Sequence, residues 1–340
     1  MSETIEKFNK HVMQTYGRLP IVLEKGHNDD AVDENGKEYI DFGSGIGTNS
    51  LGYCNDKWAD AVCAQARAIQ HTSNYFYTKV QADFAAKLCE LTGYTDVFFG
   101  NSGAEANECA IKLARKYSFD KYGKGRHTIV TLVNSFHGRT LATLSATGQD
   151  VFHNYFFPFV EGFVDVPAND IDALRKLIAE DKTICAVMFE FVQGEGGVNP
   201  LDKAFVDEIF KLCGENDILT VADEVQTGVG RTGAILTSMR YGVKPDITTL
   251  AKGIAGGVPM GACLADEKCA GVLVKGTHGS TFGGNPLACA GGNVVLDTVS
   301  SEGFCDEAWK AIYQYAFALA HGKERFHCKI RTLLDDSPNS

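Results

Sequence analysis

The sequence predicts an α/β fold in which a mostly parallel β-sheet carries helices on its faces. Three observations predict it. Short apolar runs recur through the chain: "DVFFG", "TIVTLV", "ICAVMFEF", "ILTVAD", "DITTL" and "MGACLA". Continuous runs of this length fit strands buried on both faces. Helix-period segments stand between them, such as "DIDALRKLIAED" (170–181) and "DKAFVDEIFKLCGEN" (202–216), each opened by an aspartate. Finally, glycines, acids and a lysine follow several runs directly, at the strand ends where ligands of such sheets bind.

The chain has 340 residues, 44% of them hydrophobic and 22% charged, enough for a large core. Residues 1–50 form an N-terminal segment. Within it "AVDENGKEYIDF" (31–42) alternates apolar and polar residues around Asn35-Gly36, a hairpin signal. Residues 51–290 hold the strand–helix alternation and form the large domain. Residues 291–340 are expected to be the remnant of a small C-terminal domain with an aberrant tail, because "WKAIYQYAFALAHGKERFHCKIRTLLDDSPNS" adds no further strand–helix unit.

Composition excludes several classes. A net charge of −11 argues against a nucleic-acid partner, which calls for clustered Lys and Arg. The eleven cysteines are scattered, odd in number and never spaced Cys-x-x-Cys. Neither a disulfide framework nor a metal site fits; reduced thiols in the cytoplasm do. The start, "MSETIEKFNKHVMQTYGRLP", has no apolar signal core, and no run of about 18 apolar residues offers a membrane span.

The motifs each admit two readings. Lys252, in "TLAKGIAGGVP", is either a solvated loop residue or an amine held at a strand end for nucleophilic attack. "GVGRTG" (228–233) matches the dinucleotide fingerprint, yet it is separated from its strand and has no acid about 20 residues on, so a plain glycine-rich loop is expected. "GNSGAEANECAIKLARKY" (100–117) follows a strand and opens a helix. Ser102 and Glu105 form a capping-box pattern, while small Ser102-Gly103-Ala104 at a helix N-terminus also suits a phosphate. In "VADEVQ" (221–226), Asp223 is a cap or the partner of a protonated ring nitrogen. In "NSFHGRT" (134–140), Phe136 is core or stacks on a ring, His137 is structural rather than a metal ligand, and Arg139 has the fork that grips a carboxylate. "EFVQGEGGV" (190–198) again sets acids after a strand; it is a surface loop or part of a site. The hydroxyls of "HGSTFGGNPLACA" (278–290) cap a helix or touch a phosphate or carboxylate. Taken together, a lysine that can form a Schiff base, an aspartate for a pyridinium and a phosphate cradle make one constellation, that of pyridoxal 5'-phosphate.

In this order, "FFGNSGAEANE", "SFHGRT", "VQGEGG", "DEVQTGVGRTG", "LAKGIAGG" and "GSTFGGNPLA" resemble the class III pyridoxal-phosphate aminotransferases, over about residues 16–307. The resemblance implies a fold-type I homodimer with shared active sites. It implies that Lys252 forms the Schiff base and acts as general base, that Asp223 pairs with the ring nitrogen, and that Gln226 reaches the ring hydroxyl. Phe136 would stack on the ring, with Val225 also among the cofactor-binding residues. Ser102, Gly103 and Ala104 would cradle the phosphate, joined by Thr281 from the neighbouring subunit. Arg139 and Ser280 would bind substrate, and Glu195 would be the gate that lets one pocket take an ω-amine donor and then 2-oxoglutarate.

This chain departs from the family pattern in three places. Phe191 stands where the family has proline, Tyr53 where it has histidine, and nothing after Trp309 resembles the family's C-terminal domain with its arginine for 2-oxoglutarate. Ile46 takes the place of the tyrosine with which the ornithine-using members hold a free α-ammonium. The resemblance therefore implies a donor with a blocked α-nitrogen, as in N-acetylornithine, or none, as in 4-aminobutyrate, and "GSTFGGNPL" leans toward N-acetylornithine; 4-aminobutyrate, ornithine and succinylornithine are the alternatives. An inactive, truncated cofactor-binding product is the remaining alternative.

Overall fold

The computed structural model describes residues 2–311. In chain order the N-terminal part holds helix α1 (Glu3–His11), strands β1 (Leu23–His27), β2 (Asp30–Asp33) and β3 (Glu38–Ile40), the single turn α2 (Ser44–Gly47), and helices α3 (Asp56–Ala68) and α4 (Lys79–Thr92). Then come β4 (Asp96–Gly100), α5 (Gly103–Tyr122), β5 (Thr128–Leu132), α6 (Leu141–Ser145), β6 (Phe163–Val166), α7 (Ile171–Glu180) and β7 (Ile184–Phe189). A two-residue pair, β8 (Val192–Gln193) and β9 (Asn199–Pro200), precedes α8 (Lys203–Asn216), β10 (Leu219–Asp223), α9 (Thr237–Tyr241), β11 (Ile247–Leu250), β12 (Gly261–Ala265) and α10 (Pro286–Val299).

The main sheet has seven strands in the order β4-β12-β11-β10-β7-β5-β6. β12 runs antiparallel to both its neighbours, and the other pairings are parallel. Every residue of β5, β7, β10, β11 and β12 is buried, which is why these strands read as unbroken apolar runs rather than as alternation. Consecutive side chains enter opposite layers. Met188 and Val221 pack with Ala110, Ile111 and Ala114 of α5, whereas Val187, Phe189 and Ala222 pack with Leu174 and Ile178 of α7 and Phe205 and Ile209 of α8. A third cluster joins α4 and α10 to Leu250 and Leu264 near the β4 edge.

The expected strands are all present. β6 is an addition: "FVDV" pairs with β5 at the sheet edge, and its exposed Asp165 breaks the apolar signal. The hairpin forms, with Ala31 opposite Tyr39 and Gly36 at φ 80° in the turn. Asp170 caps α7 by accepting from Ala173 N at 2.9 Å, while Asp202 opens α8 without a side-chain cap. Phe191 lies fully buried, with its ring 4.8 Å from that of Tyr241 and 5.2 Å from that of Phe189, so this departure from the resembled pattern fills core. α10 runs through residue 290, and a division of the chain there would cut it. The tail expected to be aberrant lies mostly outside the described residues.

Candidate active site

A parallel sheet brings the carboxyl ends of its strands to one edge, and β12, running the other way, brings its start there. The segments after β4, β5, β7, β10 and β11 and those before β12 enclose a cavity of about 410 Å³. Asn101, Ser102, Gly103 and Ala104 line it from β4 and α5, and Phe136, His137, Gly138 and Arg139 from beyond β5. Glu190 comes from β7, Asp223, Val225 and Gln226 from β10, and Lys252 from β11. Nine residues expected at a cofactor or substrate site thus converge: Ser102, Gly103, Ala104, Phe136, Arg139, Asp223, Val225, Gln226 and Lys252.

Asp223 is 4% exposed and held from three sides. Its Oδ2 meets His137 Nδ1 at 2.8 Å and accepts from Asn107 Nδ2 at 2.8 Å, while Oδ1 accepts from Val225 N at 3.0 Å. Asn107 is locked in turn, since its Oδ1 accepts from Thr249 Oγ1 at 2.7 Å and its amide also donates to His137 O at 2.7 Å. A buried carboxylate needs such partners to stay ionised. Burial pulls the His137 imidazole down, but the hydrogen bond and charge of Asp223, with the charge of Glu190, outweigh it and raise its pKa. His137 Nε2 is buried with no hydrogen-bond partner among the described residues. Burial pushes Glu190 up to about 7, assisted by Asp223 and opposed by His137.

Lys252 is half-buried, at φ 47° in the first position of a 3₁₀ turn. Burial lowers its amine pKa; Asp223, Glu195 and Glu190 act against the shift and Arg231 with it. Across the cavity, α5 begins at Gly103. Its first internal bond runs from Ala106 N to Ser102 O at 3.0 Å, so the N–H groups of Gly103 and Ala104 have no partner within the helix. The capping box is half made: Ser102 Oγ accepts from Glu105 N at 3.2 Å, but Glu105 turns to Asn101 N at 2.7 Å. The helix start is packed as tightly as glycine permits, for a Cβ on Gly261 would stand 2.1 Å from Ser102 O and one on Gly103 2.7 Å from Val225 Cγ1.

This donor set fits pyridoxal phosphate. An amine of lowered basicity, a buried carboxylate held by three partners with acceptor capacity left on Oδ1, and a free helix N-terminus share one cavity with the Phe136 ring. The "GVGRTG" segment is a loop of turns, with Gly230 at φ 81° and Gly233 at φ 78°, as expected.

Three expected residues stand elsewhere. Glu195 is exposed and outside the lining, although Lys252 feels its charge. Ser280 and Thr281 line a separate concavity of about 310 Å³ with Glu105, Glu108 and His278, and Thr281 is exposed. Asn101 lines both spaces and donates to Ser280 Oγ at 3.1 Å. Sequence reasoning assigned no role to Asn101 or Asn107, and read Glu190 only as one of the acids after a strand. Asn107 did leave a signal, because it shares the α5 stripe of Ala110, Ile111 and Ala114, where a polar residue is out of place unless paired.

A family model described as aminotransferase class-III matches residues 12–330. The acetylornithine aminotransferase of Haemophilus ducreyi is 53% identical over 286 residues, 84% of this chain and 72% of that one. Among solved structures, the ornithine aminotransferase of Toxoplasma gondii superposes with a TM-score of 0.89 at 34% identity, over 94% of this chain and 76% of that one. The acetylornithine aminotransferase of Elizabethkingia anophelis does so at 0.83 and 34%, over 94% and 78%.

Proposed function

The chain belongs to the class-III aminotransferases, a pyridoxal-phosphate-dependent family, and we propose that it moves the ω-amino group of N-acetylornithine to 2-oxoglutarate, giving N-acetylglutamate semialdehyde and glutamate. The observation that carries this is the meeting of Lys252, Asp223 and the α5 N-terminus in one cavity.

Pyridoxal phosphate, when bound, supplies an aldehyde that takes up an amine and a protonated ring that draws off electrons from the donor carbon. The N–H groups of Gly103 and Ala104, with Ser102 and the helix dipole, would hold its phosphate. Asp223 would keep the ring nitrogen protonated, and its three partners hold the carboxylate in place for that task. Gln226 would reach the ring hydroxyl, with Phe136 and Val225 against the ring. Lys252 would carry the cofactor. Once released, its amine would move a proton from the donor carbon to the cofactor carbon; the lowered basicity keeps more of that amine neutral near pH 7. Arg139 would grip the donor's carboxylate, and Glu195 would gate the change from donor to 2-oxoglutarate.

Ile46 favours N-acetylornithine over ornithine, for it is 73% exposed and has no group to receive an α-ammonium. The relatives named acetylornithine aminotransferase support the same choice. The exposed position of Thr281, outside its own chain's cavity, supports a homodimer in which Thr281 and Ser280 serve the partner's site. The cytoplasm is the proposed location; the ten cysteines of the described residues are free, and no helix among these residues is long and apolar enough to cross a membrane.

Steady-state kinetics with 2-oxoglutarate test the donor. N-acetylornithine should exceed ornithine and 4-aminobutyrate in kcat/KM, by about tenfold or more over ornithine, whose α-ammonium would find no partner in Ile46. An equal or better kcat/KM for ornithine would overturn the choice.

A further inference from the structure

Arg139 is exposed at the cavity mouth, and no ion pair is recorded for it among the described residues. Two aromatic rings stand against its guanidinium. Cζ stands 4.1 Å from the centroid of the Phe152 ring and 5.6 Å from that of Phe136, and the two rings meet edge to face at 5.7 Å. Phe152 ends a short 3₁₀ turn, Asp150–Phe152, and is itself half-buried. A guanidinium keeps its five N–H donors in its own plane. A carboxylate that held Arg139 would consume some of those donors. A ring that holds it through the π-face consumes none, and leaves the fork free for a bidentate contact.

We propose that Phe152 is a positioning residue for donor recognition: its ring orients the Arg139 guanidinium for the donor's carboxylate without occupying a hydrogen bond. This rests on the assignment of Arg139 to that carboxylate. Phe136 lines the cavity and belongs with the cofactor, so Phe152 is the ring assigned to Arg139.

The test pairs three substitutions of Phe152, and Arg139→Ala, with two donors and one ligand. Phe152→Ala and Phe152→Leu should raise KM for N-acetylornithine about 3- to 10-fold, the range of one partly desolvated cation–π contact, with kcat nearly unchanged. Leu keeps bulk without a π-face, so its matching loss separates the stacking role from plain packing. Phe152→Tyr should restore the wild-type KM. Calorimetry with N-acetylnorvaline, which has the donor's carboxylate and blocked nitrogen but no ω-amine, should show Kd rising by the same factor. A simple alkyl amine should be affected little by Phe152→Ala. In an Arg139→Ala background, Phe152→Ala should add nothing. Arg139→Ala that weakens both donors equally would remove the assignment of Arg139, and the role of Phe152 with it. A carboxylate-selective loss in Arg139→Ala, combined with wild-type KM and Kd in Phe152→Ala or with an undiminished Phe152→Ala penalty in the Arg139→Ala background, would overturn the role of Phe152 alone.

Discussion

The cavity at the carboxyl edge of the sheet and the loop from His278 to Phe282 are built in opposite ways. In the cavity, functional groups sit at the ends of buried strands and are locked by neighbours. Asp223 has three partners, and one of them, Asn107, is fixed by a fourth residue. In the loop, Ser280 is tied to Asn101 and Gly283 N, but Thr281 and Phe282 are exposed, Phe282 at 57%. Rigid strand ends pre-organise chemistry within one chain. An exposed hydroxyl and ring at the end of a tethered loop leave room for a contact outside that chain, and under the proposed function that contact is with a second copy.

The sharpest way to break this comparison is complementation. Lys252→Ala removes the amine from the cavity, and Thr281→Asp sets a carboxylate where a phosphate contact is proposed; like charges in a dry site repel strongly. Each variant alone should be inactive. Refolded together at equal amounts, about half the dimers should be mixed, each with one intact site, so roughly a quarter of wild-type activity should return. No recovery, in a mixture shown by native mass spectrometry to contain the mixed dimer, would mean that Thr281 serves its own chain.

Within the cavity, Asp223→Asn should leave fold and cofactor binding in place and cut turnover. Removing one partner of a buried charge pair costs about 2–5 kcal/mol, a factor of roughly 30 to several thousand. An unchanged kcat would take Asp223 out of the mechanism.

The smallest effect concerns Glu190. Burial raises its pKa to about 7, above the ordinary 4.5, so the folded chain favours the protonated acid. Its contribution to stability is therefore present at low pH and lost as pH rises from the ordinary value through about 7. Glu190→Gln removes this slope and keeps an acceptor for Phe136 N, which Glu190 now binds at 3.0 Å. The difference in Tm, variant minus wild type, should grow from pH 5 to pH 8. Parallel curves would show that Glu190 does not titrate there.

Much of this was legible in the sequence for a physical reason. Strands buried on both faces leave continuous apolar runs, and an ionisable residue directly after such a run, as at Asp223 and Lys252, marks a place where charge must be matched. β6 escaped because an edge strand carries an exposed acid, Asp165. Asn107 and Phe152 escaped because their roles lie in contacts across the chain. Asn107 reaches Asp223 over 116 positions, and Phe152 meets Arg139 only once the segment after α6 has folded back. The separation of Thr281 from its own cavity is likewise a property of three dimensions.

The most direct test is chemical mapping of the cofactor's attachment. The protein is loaded with pyridoxal phosphate, reduced with borohydride, digested, and its peptides read by mass spectrometry. The mass of the reduced cofactor should appear on the peptide containing Lys252, and disappear in Lys252→Ala. Its appearance on another lysine, with Lys252 unmodified in active protein, would contradict the assignment of the site.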